Sequence, residues 1–269
     1  MADTAELYIK AQTEAQTSGL PTPERPAGDG AIASGFDPFA GVVDEASEAG
    51  REIYFISGLG ADWRVFHRLQ LKGYRPVHIC WERPYRGESI EHYAQRLLGQ
   101  VTTPHPILVG LSFGGLMAVE MAKLCDPAQV IVISSAVSGA QVPNYYKLFR
   151  WLPLQLIVPF KQLLWAVYGV ISWLFGLEDP EDRSLFKQVL IDTDPFFLRW
   201  AMNRVVGWRN QVVPKNVVQI HGGRDRVFPF GHHSADIVVP DGGHLMVLNR
   251  AEQLSRLLMA TLATNPVES

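Results

Sequence analysis

The feature that most constrains the fold is a short apolar run that leads through a glycine-flanked serine into a second apolar segment. Ile107 to Leu111 is typical of a buried strand, and residues 116–124 carry helix formers and apolar residues at helical spacing. Ser112 stands between them, in Gly110-Leu111-Ser112-Phe113-Gly114. Flanking glycines remove the Cβ atoms that would collide across a sharp strand-to-helix turn. The segment predicts a strand-turn-helix unit with Ser112 as a candidate nucleophile, although an ordinary packed turn would also use such glycines.

Apolar strand candidates alternate with helix candidates along most of the chain. Ser89 is a candidate N-cap for a helix over 89–101, and a one-sided apolar helix is predicted over 251–263. Strands that are almost continuously apolar are typical of a mostly parallel sheet with helices on both faces, so the predicted fold class is α/β. The strand candidates are Glu52–Ser57, Arg75–Trp81, Ile107–Leu111, Gln129–Ser134, Asn216–His221 and Ala235–Val239.

Two intervals depart from this alternation. Residues 1–50 are rich in Ala, Gly, Pro, Thr and Glu and have few apolar clusters, which predicts a flexible or loosely packed N-terminal arm. Residues 140–210 are rich in aromatic side chains, and we interpret them as a helical cap inserted over the carboxyl ends of the strands. The predicted core then comprises 51–139 and 211–265. Candidates for lining a substrate cleft at the cap and its rim are Trp63, Tyr145, Trp165 and Trp173.

Residues 163–177, inside the predicted cap, are almost free of polar groups. A helix that crosses a membrane needs about 20 apolar residues, and Pro159, Lys161 and Gln162 interrupt the run upstream. A buried or cleft-lining cap helix, and hence an apolar substrate, is the favoured interpretation. Contact with a membrane surface through the cap is the alternative.

Composition and charge limit the kinds of ligand, cofactor and macromolecular partner that the chain is expected to bind. The chain has 269 residues, a net charge of -3 and no basic stripe, which gives no support for nucleic-acid binding. Cys80 and Cys125 fall in a predicted strand and a predicted helix, so we expect no disulfide framework. No secretory signal is visible in the first residues, and a cytoplasmic location is expected. The adjacent His232 and His233 do not indicate a metal site, because neighbouring histidines rarely point to one ion.

Two further polar residues follow predicted strand ends. Asp225 comes after the strand ending at His221, and His244 comes after the strand ending at Val239. Because parallel strands end at one edge of a sheet, we expect both side chains to lie near Ser112. The chain order Ser, Asp, His is that of a triad built on such a sheet. An ion pair of Asp225 with a flanking arginine is the structural alternative, and Asp236 and Asp241 are weaker candidates for the acid.

The chain from about residue 52 to 263 resembles the α/β-hydrolase superfamily, and in particular capped bacterial hydrolases of unassigned substrate. Three motifs carry the resemblance: Gly110-Leu111-Ser112-Phe113-Gly114, His221-Gly222-Gly223-Arg224-Asp225 and Gly242-Gly243-His244. It implies Ser112 as nucleophile, Asp225 as acid and His244 as base. The chain has Ser57-Gly58 where many relatives have His-Gly, which puts the shape of that loop in doubt.

The expected activity is a serine hydrolase that cleaves a carboxylic ester, thioester or lactone of an apolar small molecule, without a metal or organic cofactor. The backbone N–H groups of Leu59 and Phe113 are the predicted oxyanion donors. Acyl transfer or cofactor-free lyase chemistry on the same triad stays open, as does a non-catalytic binding module. A haloalkane dehalogenase is disfavoured, because an aspartate would stand in place of Ser112.

Overall fold

The computed structural model describes residues 50–143, 145–146, 168–229 and 235–264. Within these ranges, six strands form one sheet in the order β2-β1-β3-β4-β5-β6, and every neighbouring pair is parallel. The predicted α/β fold class is therefore confirmed. The strands are β1 (Arg51–Ile56), β2 (Tyr74–Ile79), β3 (Ile107–Leu111), β4 (Gln129–Ile133), β5 (Val217–Gly222) and β6 (Ile237–Val239).

Helices connect the strands and follow the last one. They are α1 (Ile90–Leu97), α2 (Phe113–Ala122), α3 (Pro180–Asp192), α4 (Pro195–Gly207), α5 (Met246–Asn249) and α6 (Ala251–Thr264). Residues 168–174 are also helical, and a 3-10 turn covers Trp63–Phe66. None of the helices in the described ranges combines the length and the apolar character that crossing a bilayer requires.

Side-chain caps explain where three of these helices begin. Ser89 Oγ accepts a hydrogen bond from the N–H of His92, as its predicted N-cap role requires. Asp179 and Asp194 cap α3 and α4 in the same way, and each is followed by a proline at the first helical position. Proline fits there because its missing N–H would have no partner inside the helix.

The sheet is covered on both faces because its central strands are apolar on both sides. Tyr54 and Ile56 of β1 pack with buried residues of α1, α2 and α4, whereas Ile53 and Phe55 pack with α3, α5 and α6. In β3, Gly110 and Leu111 complete a strand in which every residue is buried. A strand buried on both faces needs the continuous apolar pattern from which it was predicted.

The strand order reverses between β1 and β3. The chain leaves β1 toward β2 on one side and later returns to β3 on the other, so the connections after β1 and β3 diverge. In open α/β sheets this divergence leaves a crevice at the carboxyl ends of the strands, where ligands bind. Ser112 directly follows β3, and the loop beginning at Ser57 directly follows β1.

The described part of the interval 140–210 includes residues 168–174, α3 and α4. Phe197 and Trp200 of α4 are buried in the cluster that contains α1 and α2. The division into core and cap stays a prediction, as does the N-terminal arm. Residues 1–49 and 147–167 lie outside the described residues.

Cys80 and Cys125 are predicted within a strand and a helix, but they lie just beyond the observed ends of β2 and α2. The pairing of β2 with β1 ends at Ile79, and the N–H of Cys80 instead donates to Gln100 Oε1 (2.8 Å). Cys125 follows the end of α2 at Ala122. Both side chains are half-buried, and Cys125 Sγ donates to the carbonyl of Met121 (3.4 Å).

Candidate active site

Ser112 occupies the turn between β3 and α2 in a strained backbone conformation. Its φ is 53° and its ψ is -119°, a region that residues with a Cβ rarely adopt. Its N–H donates to the carbonyl of Ile133 (2.9 Å), and its carbonyl accepts from Ser135 Oγ (2.5 Å) and from the N–H of Gly115 (2.9 Å). These bonds to β4 and α2 hold the serine in the turn.

The two glycines that flank Ser112 allow three backbone segments to meet. A Cβ on Gly114 would lie 2.1 Å from the carbonyl oxygen of Ile56 in β1, and a Cβ on Gly110 would lie 2.2 Å from the carbonyl oxygen of Gly114. Any side chain at these positions would therefore separate α2 from β1 and β3. The Gly-x-Ser-x-Gly spacing is a packing requirement of this turn.

His244 lies in the loop after β6, within hydrogen-bond distance of both other triad candidates. Its Nε2 is 2.8 Å from Ser112 Oγ, and its Nδ1 is 2.9 Å from Asp225 Oδ2. The imidazole is fully buried. Because an ionised carboxylate can only accept, the Nδ1 proton faces Asp225 and the Nε2 lone pair faces the hydroxyl of Ser112.

Asp225 is buried in the loop after β5 and is held there by the backbone. Its Oδ1 accepts from the N–H groups of Val227 and Phe228, both at 2.8 Å, which leaves Oδ2 for His244. Three donors compensate a carboxylate whose side chain is fully buried. These bonds fix the carboxylate plane toward the imidazole.

The other acidic candidates and the flanking arginines have different partners. Arg224 pairs with Asp241 at the surface (2.8 Å), and Arg226 lies against Trp173. Asp236 Oδ2 accepts from the N–H of Gln219 (2.8 Å), so it braces the edge of the sheet. Of the aspartates considered from the sequence, the structure brings Asp225 to His244.

A second histidine lies close to Asp225. His221, the fifth residue of β5, is buried, and its Nε2 is 2.7 Å from the carbonyl oxygen of Phe228 and 3.5 Å from Asp225 Oδ2. Burial lowers the pKa of His221, although the charge of Asp225 acts in the opposite direction. A neutral imidazole donates to the Phe228 carbonyl and so helps to close the loop that carries Asp225.

Aromatic rings surround His244. Phe175 meets the imidazole edge-on at 5.0 Å, and Phe228 lies nearly parallel to it at 6.0 Å. Tyr146 stacks on Phe228 and Tyr145 stacks on Tyr146. The imidazole therefore lies in an apolar environment, which strengthens its hydrogen bonds.

Residues 53–257 match the model of a protein family described as the alpha/beta hydrolase family. The chain belongs to the alpha/beta hydrolase family. A search of the curated proteins gives no match.

Solved structures share the fold of this family member at low sequence identity. An esterase from Exiguobacterium antarcticum is 18% identical with a TM-score of 0.63, over 80% of this chain and 92% of that one. A thermophilic esterase from Thermogutta terrifontis is 16% identical with a TM-score of 0.62, over 82% and 92%. A hydrolase from Pseudomonas aeruginosa PA01 is 12% identical with a TM-score of 0.65, over 81% and 92%. At these identities the likeness shows the shared fold.

In this alpha/beta hydrolase family member, the loop after β1 lies beside the serine. A Cβ on Gly58 would lie 3.3 Å from Ser112 Cβ, and the N–H of Ala61 donates to the carbonyl of Gly58 (3.1 Å). Leu59, a predicted oxyanion donor, lies between Gly58 and Ala61 in the sequence and is half-buried. Phe113, the other predicted donor, is the first residue of α2.

The residues predicted to line the substrate cleft have different surroundings. Tyr145 donates to the carbonyl of Val227, in the loop that carries Asp225 (2.6 Å). Burial together with the charge of Asp225 raises the pKa of Tyr145 to about 12. Trp173 is 59% exposed and lies under the guanidinium of Arg226, 4.5 Å from the ring centre.

The remaining two of these predictions lie elsewhere. Trp63 begins the 3-10 turn after β1, with its ring 6.4 Å from that of His78. Trp165 lies outside the described residues. The substrate-lining role of all four residues stays a prediction.

Sequence reasoning missed several residues around the site. Ser135 directly follows the predicted strand that ends at Ser134, and Phe175 lies in the apolar run 163–177, but neither pattern indicates a contact with Ser112 or His244. Phe228 could have been noticed, since it lies three residues after Asp225 in the same loop.

Metal binding finds no support in the described ranges, where no group of three or more His, Cys, Asp or Glu side chains is placed to hold an ion. His232 and His233 lie outside those ranges.

Proposed function

We propose that the protein is a serine hydrolase that cleaves a carboxylic ester of an apolar acyl substrate through an acyl-enzyme. The observation that carries the proposal is the continuous hydrogen-bonded chain from Asp225 Oδ2 through His244 to Ser112 Oγ, with links of 2.9 and 2.8 Å. A buried carboxylate, an oriented imidazole and a strained serine together have the geometry of an activated nucleophile.

In the acylation half, His244 Nε2 takes the hydroxyl proton of Ser112 as Oγ attacks the ester carbonyl carbon. Asp225 holds the imidazole in the required tautomer and stabilises the imidazolium that forms. The tetrahedral intermediate collapses when His244 returns the proton to the departing alkoxide oxygen. An alcohol leaves, and the acyl group stays on Ser112.

In the deacylation half, His244 takes a proton from water as the water oxygen attacks the acyl carbonyl carbon. The second tetrahedral intermediate releases the carboxylic acid, and the proton returns from His244 to Ser112 Oγ. Free enzyme is restored without a cofactor. A thioester or a lactone would react through the same steps, because each presents an acyl carbonyl and a leaving group.

The proposed oxyanion donors are the backbone N–H groups of Leu59 and Phe113. Phe113 begins a helix of ten residues, whose unsatisfied N-terminal amides and dipole favour negative charge. Leu59 lies in the loop whose Gly58 is adjacent to Ser112. Two donors on opposite sides of the serine would stabilise the oxygen that gains charge in both tetrahedral intermediates.

An apolar acyl group suits the surroundings of the triad. Phe175 and Phe228 pack against His244, and the sequence of residues 163–177 is almost free of polar side chains. The esterases from Exiguobacterium antarcticum and Thermogutta terrifontis, which share the fold, are consistent with ester cleavage.

Hydrolysis of p-nitrophenyl esters, from acetate to dodecanoate, tests the proposal. The wild type should release p-nitrophenol with an optimum chain length that measures the acyl pocket, and Ser112→Ala should lower kcat by about 10⁴-fold or more. Ser138→Ala is the matched control, because this half-exposed serine follows β4 and makes no capping hydrogen bond. Equal turnover by the wild type and Ser112→Ala would exclude Ser112 as the nucleophile.

Acyl transfer is the second candidate. Ser112 is 8% exposed, and an acyl-enzyme shielded from bulk water would pass its acyl group to whichever acceptor, water, alcohol or thiol, binds beside it. Adding methanol or a thiol to the ester assay separates the two reactions. A dominant methyl ester or thioester product would indicate a transferase, whereas a dominant free acid would support hydrolysis.

A further inference from the structure

The loop from Gly58 to Ala61 ends in a carbonyl that accepts two side-chain hydrogen bonds. Ser57 Oγ donates to the carbonyl oxygen of Ala61 (2.8 Å), and Trp81 Nε1 donates to the same oxygen (3.2 Å). Both donors are buried, with exposed fractions of 3% for Ser57 and 6% for Trp81. This loop contains Leu59, so the two side chains hold one end of a segment that carries a proposed oxyanion donor.

The indole of Trp81 also contacts Phe113, the residue that follows Ser112. Its ring lies 5.4 Å from that of Phe113, the first residue of α2, and 5.0 Å from that of Phe197 in α4. One buried side chain therefore joins the loop after β1 to the start of α2. The N–H groups of Leu59 and Phe113 belong to the two segments that Trp81 connects.

We propose that Ser57 and Trp81 are positioning residues that set the Leu59 amide relative to the Phe113 amide. This inference rests on the proposed function, because it concerns the oxyanion donors of that reaction. Neither side chain touches the reacting atoms. Each acts through the carbonyl of Ala61, and Trp81 acts also through its contact with Phe113.

The loop needs such restraint because its own backbone is permissive. It contains glycines at positions 58 and 60, and Gly60 has a φ of +67°. Oxyanion donors must lie within a few tenths of an ångström of their required positions, and a misplacement of about 1 Å costs about 10²-fold in rate. Two side-chain donors on one buried carbonyl remove the freedom that the glycines would otherwise give.

The same contacts define the conformation of the loop after β1, in which Ser57 stands where many relatives have histidine. Ser57 is short and lies directly after β1, and its hydroxyl reaches forward four residues to Ala61. The turn is also closed by the hydrogen bond from the N–H of Ala61 to the carbonyl of Gly58. Ser57 thus bonds within the loop, and Trp81 approaches the same carbonyl from beyond the end of β2.

Kinetics of Ser57→Ala, Trp81→Phe and the double variant test the proposal with the same p-nitrophenyl ester. Each single substitution removes one donor to Ala61 and should lower kcat by about 10-fold, with KM within about 2-fold of the wild type. The double variant should lose about 100-fold or more. Ser57→Thr keeps the hydroxyl and should restore most of kcat.

Trp200→Phe is the matched control for Trp81→Phe. Trp200 also packs on Phe113, with ring centres 6.1 Å apart, but its Nε1 donates to the carbonyl of Glu88 (2.9 Å) and not to the loop, so the two tryptophans differ in the bond to Ala61. It should lose thermal stability to a similar extent and keep kcat. If Trp200→Phe and Trp81→Phe lower kcat equally, the effect comes from general packing and the positioning role is overturned.

The second readout is the rate constant for phosphonylation of Ser112 by a fluorophosphonate. The fraction of protein that is labelled at the end of the reaction measures how much of it is folded. In Ser57→Ala the rate constant should fall by about 10-fold while the labelled fraction stays that of the wild type. Suppose that the wild type is active and that this activity depends on Ser112. If Ser57→Ala and Trp81→Phe then keep the wild-type kcat and the wild-type phosphonylation rate constant, the positioning role is overturned and the proposed function stays intact. A wild type that neither turns over esters nor labels would overturn both.

Discussion

At the scale of single residues, the proposed activation of Ser112 depends on the different partners of the two carboxylate oxygens of Asp225. Oδ1 is occupied by backbone N–H groups and Oδ2 faces His244, so the carboxylate cannot rotate without losing buried hydrogen bonds. This arrangement sets the tautomer of His244.

Asp225→Asn should lower kcat by about 10³-fold to 10⁴-fold while the protein stays folded. The Asn carbonyl oxygen can replace Oδ1, but its amide group would then face Nδ1 and favour the tautomer with a proton on Nε2. That tautomer cannot accept the proton of Ser112. Asp241→Asn is the control, because Asp241 pairs with Arg224 at the surface; ester turnover of the two variants is compared. Equal losses would contradict the assigned role.

The sequence was sufficient to nominate Ser112, Asp225 and His244, because each follows a strand end in a glycine-containing loop. The neighbours of these residues were harder to predict. Trp81 ends a predicted strand, and nothing in the local pattern indicates that its side chain is buried and donates to the carbonyl of Ala61. Phe175 reaches His244 from a helical segment whose position over the sheet depends on tertiary packing. Periodicity predicts which face of an element is apolar, but it does not identify the residue on the other side of the contact.

At the scale of elements, the central feature is the close approach of β1, β3 and α2. The apolar helical spacing is confined to residues 116–124, whereas α2 begins at Phe113, the first expected amide donor, and includes Gly114 and Gly115. Glycine is a poor helix former, so propensity places the start too late. The glycines are present because α2 must pass within backbone contact of β1, a requirement that propensity does not include.

Gly114→Ala should destabilise the fold by about 4 kcal/mol or more, because the new Cβ would overlap the carbonyl of Ile56. The overlapping atoms belong to the backbone, so they cannot move aside as a flexible side chain could. Urea unfolding followed by circular dichroism measures the change. Gly99→Ala is the control, since a Cβ there meets no heavy atom within 4 Å, and it should stay within about 0.5 kcal/mol of the wild type. A Gly114→Ala protein as stable as Gly99→Ala would contradict the described approach of α2 to β1.

At the scale of the whole molecule, ion pairs connect the segment after β1 with α3. Arg64 Nη2 lies 2.7 Å from Asp192 at the end of α3, and Arg68 Nη1 lies 2.8 Å from Asp182 near its start. The side chain of Asp182 is 1% exposed, and burial raises its pKa while the charge of Arg68 acts in the opposite direction. Helix α3, in the predicted cap interval, is thus joined to the segment after β1 by charges as well as by apolar contacts.

Arg68→Met should lower the free energy of unfolding by about 2 kcal/mol at pH 7, because it leaves the buried carboxylate of Asp182 without its partner. The pKa of Asp182 is higher in the folded state than in the unfolded state, so this acid favours folding below its unfolded pKa. That contribution is lost as pH rises through the folded pKa.

The loss in Arg68→Met should therefore be smaller at pH 4 than at pH 7, as urea unfolding at both values would measure. Arg256→Met removes the exposed pair with Glu252 and should change stability by less than about 0.5 kcal/mol at either pH. A loss in Arg68→Met that does not decrease on acidification would show that the missing packing of the arginine, and not the charge of Asp182, is responsible.

The substrate, the cytoplasmic location and membrane contact through the interval 140–210 stay predictions at this scale. The central claim, that this sheet edge activates Ser112 as a nucleophile, can be tested without a known substrate. Incubation of the folded protein with a fluorophosphonate, followed by intact-mass and peptide analysis, should show one adduct per chain on the peptide containing Ser112. Ser112→Ala should show none, and His244→Ala should label at least about 10³-fold more slowly. No adduct on the folded wild type, or an adduct that persists in Ser112→Ala, would contradict the account.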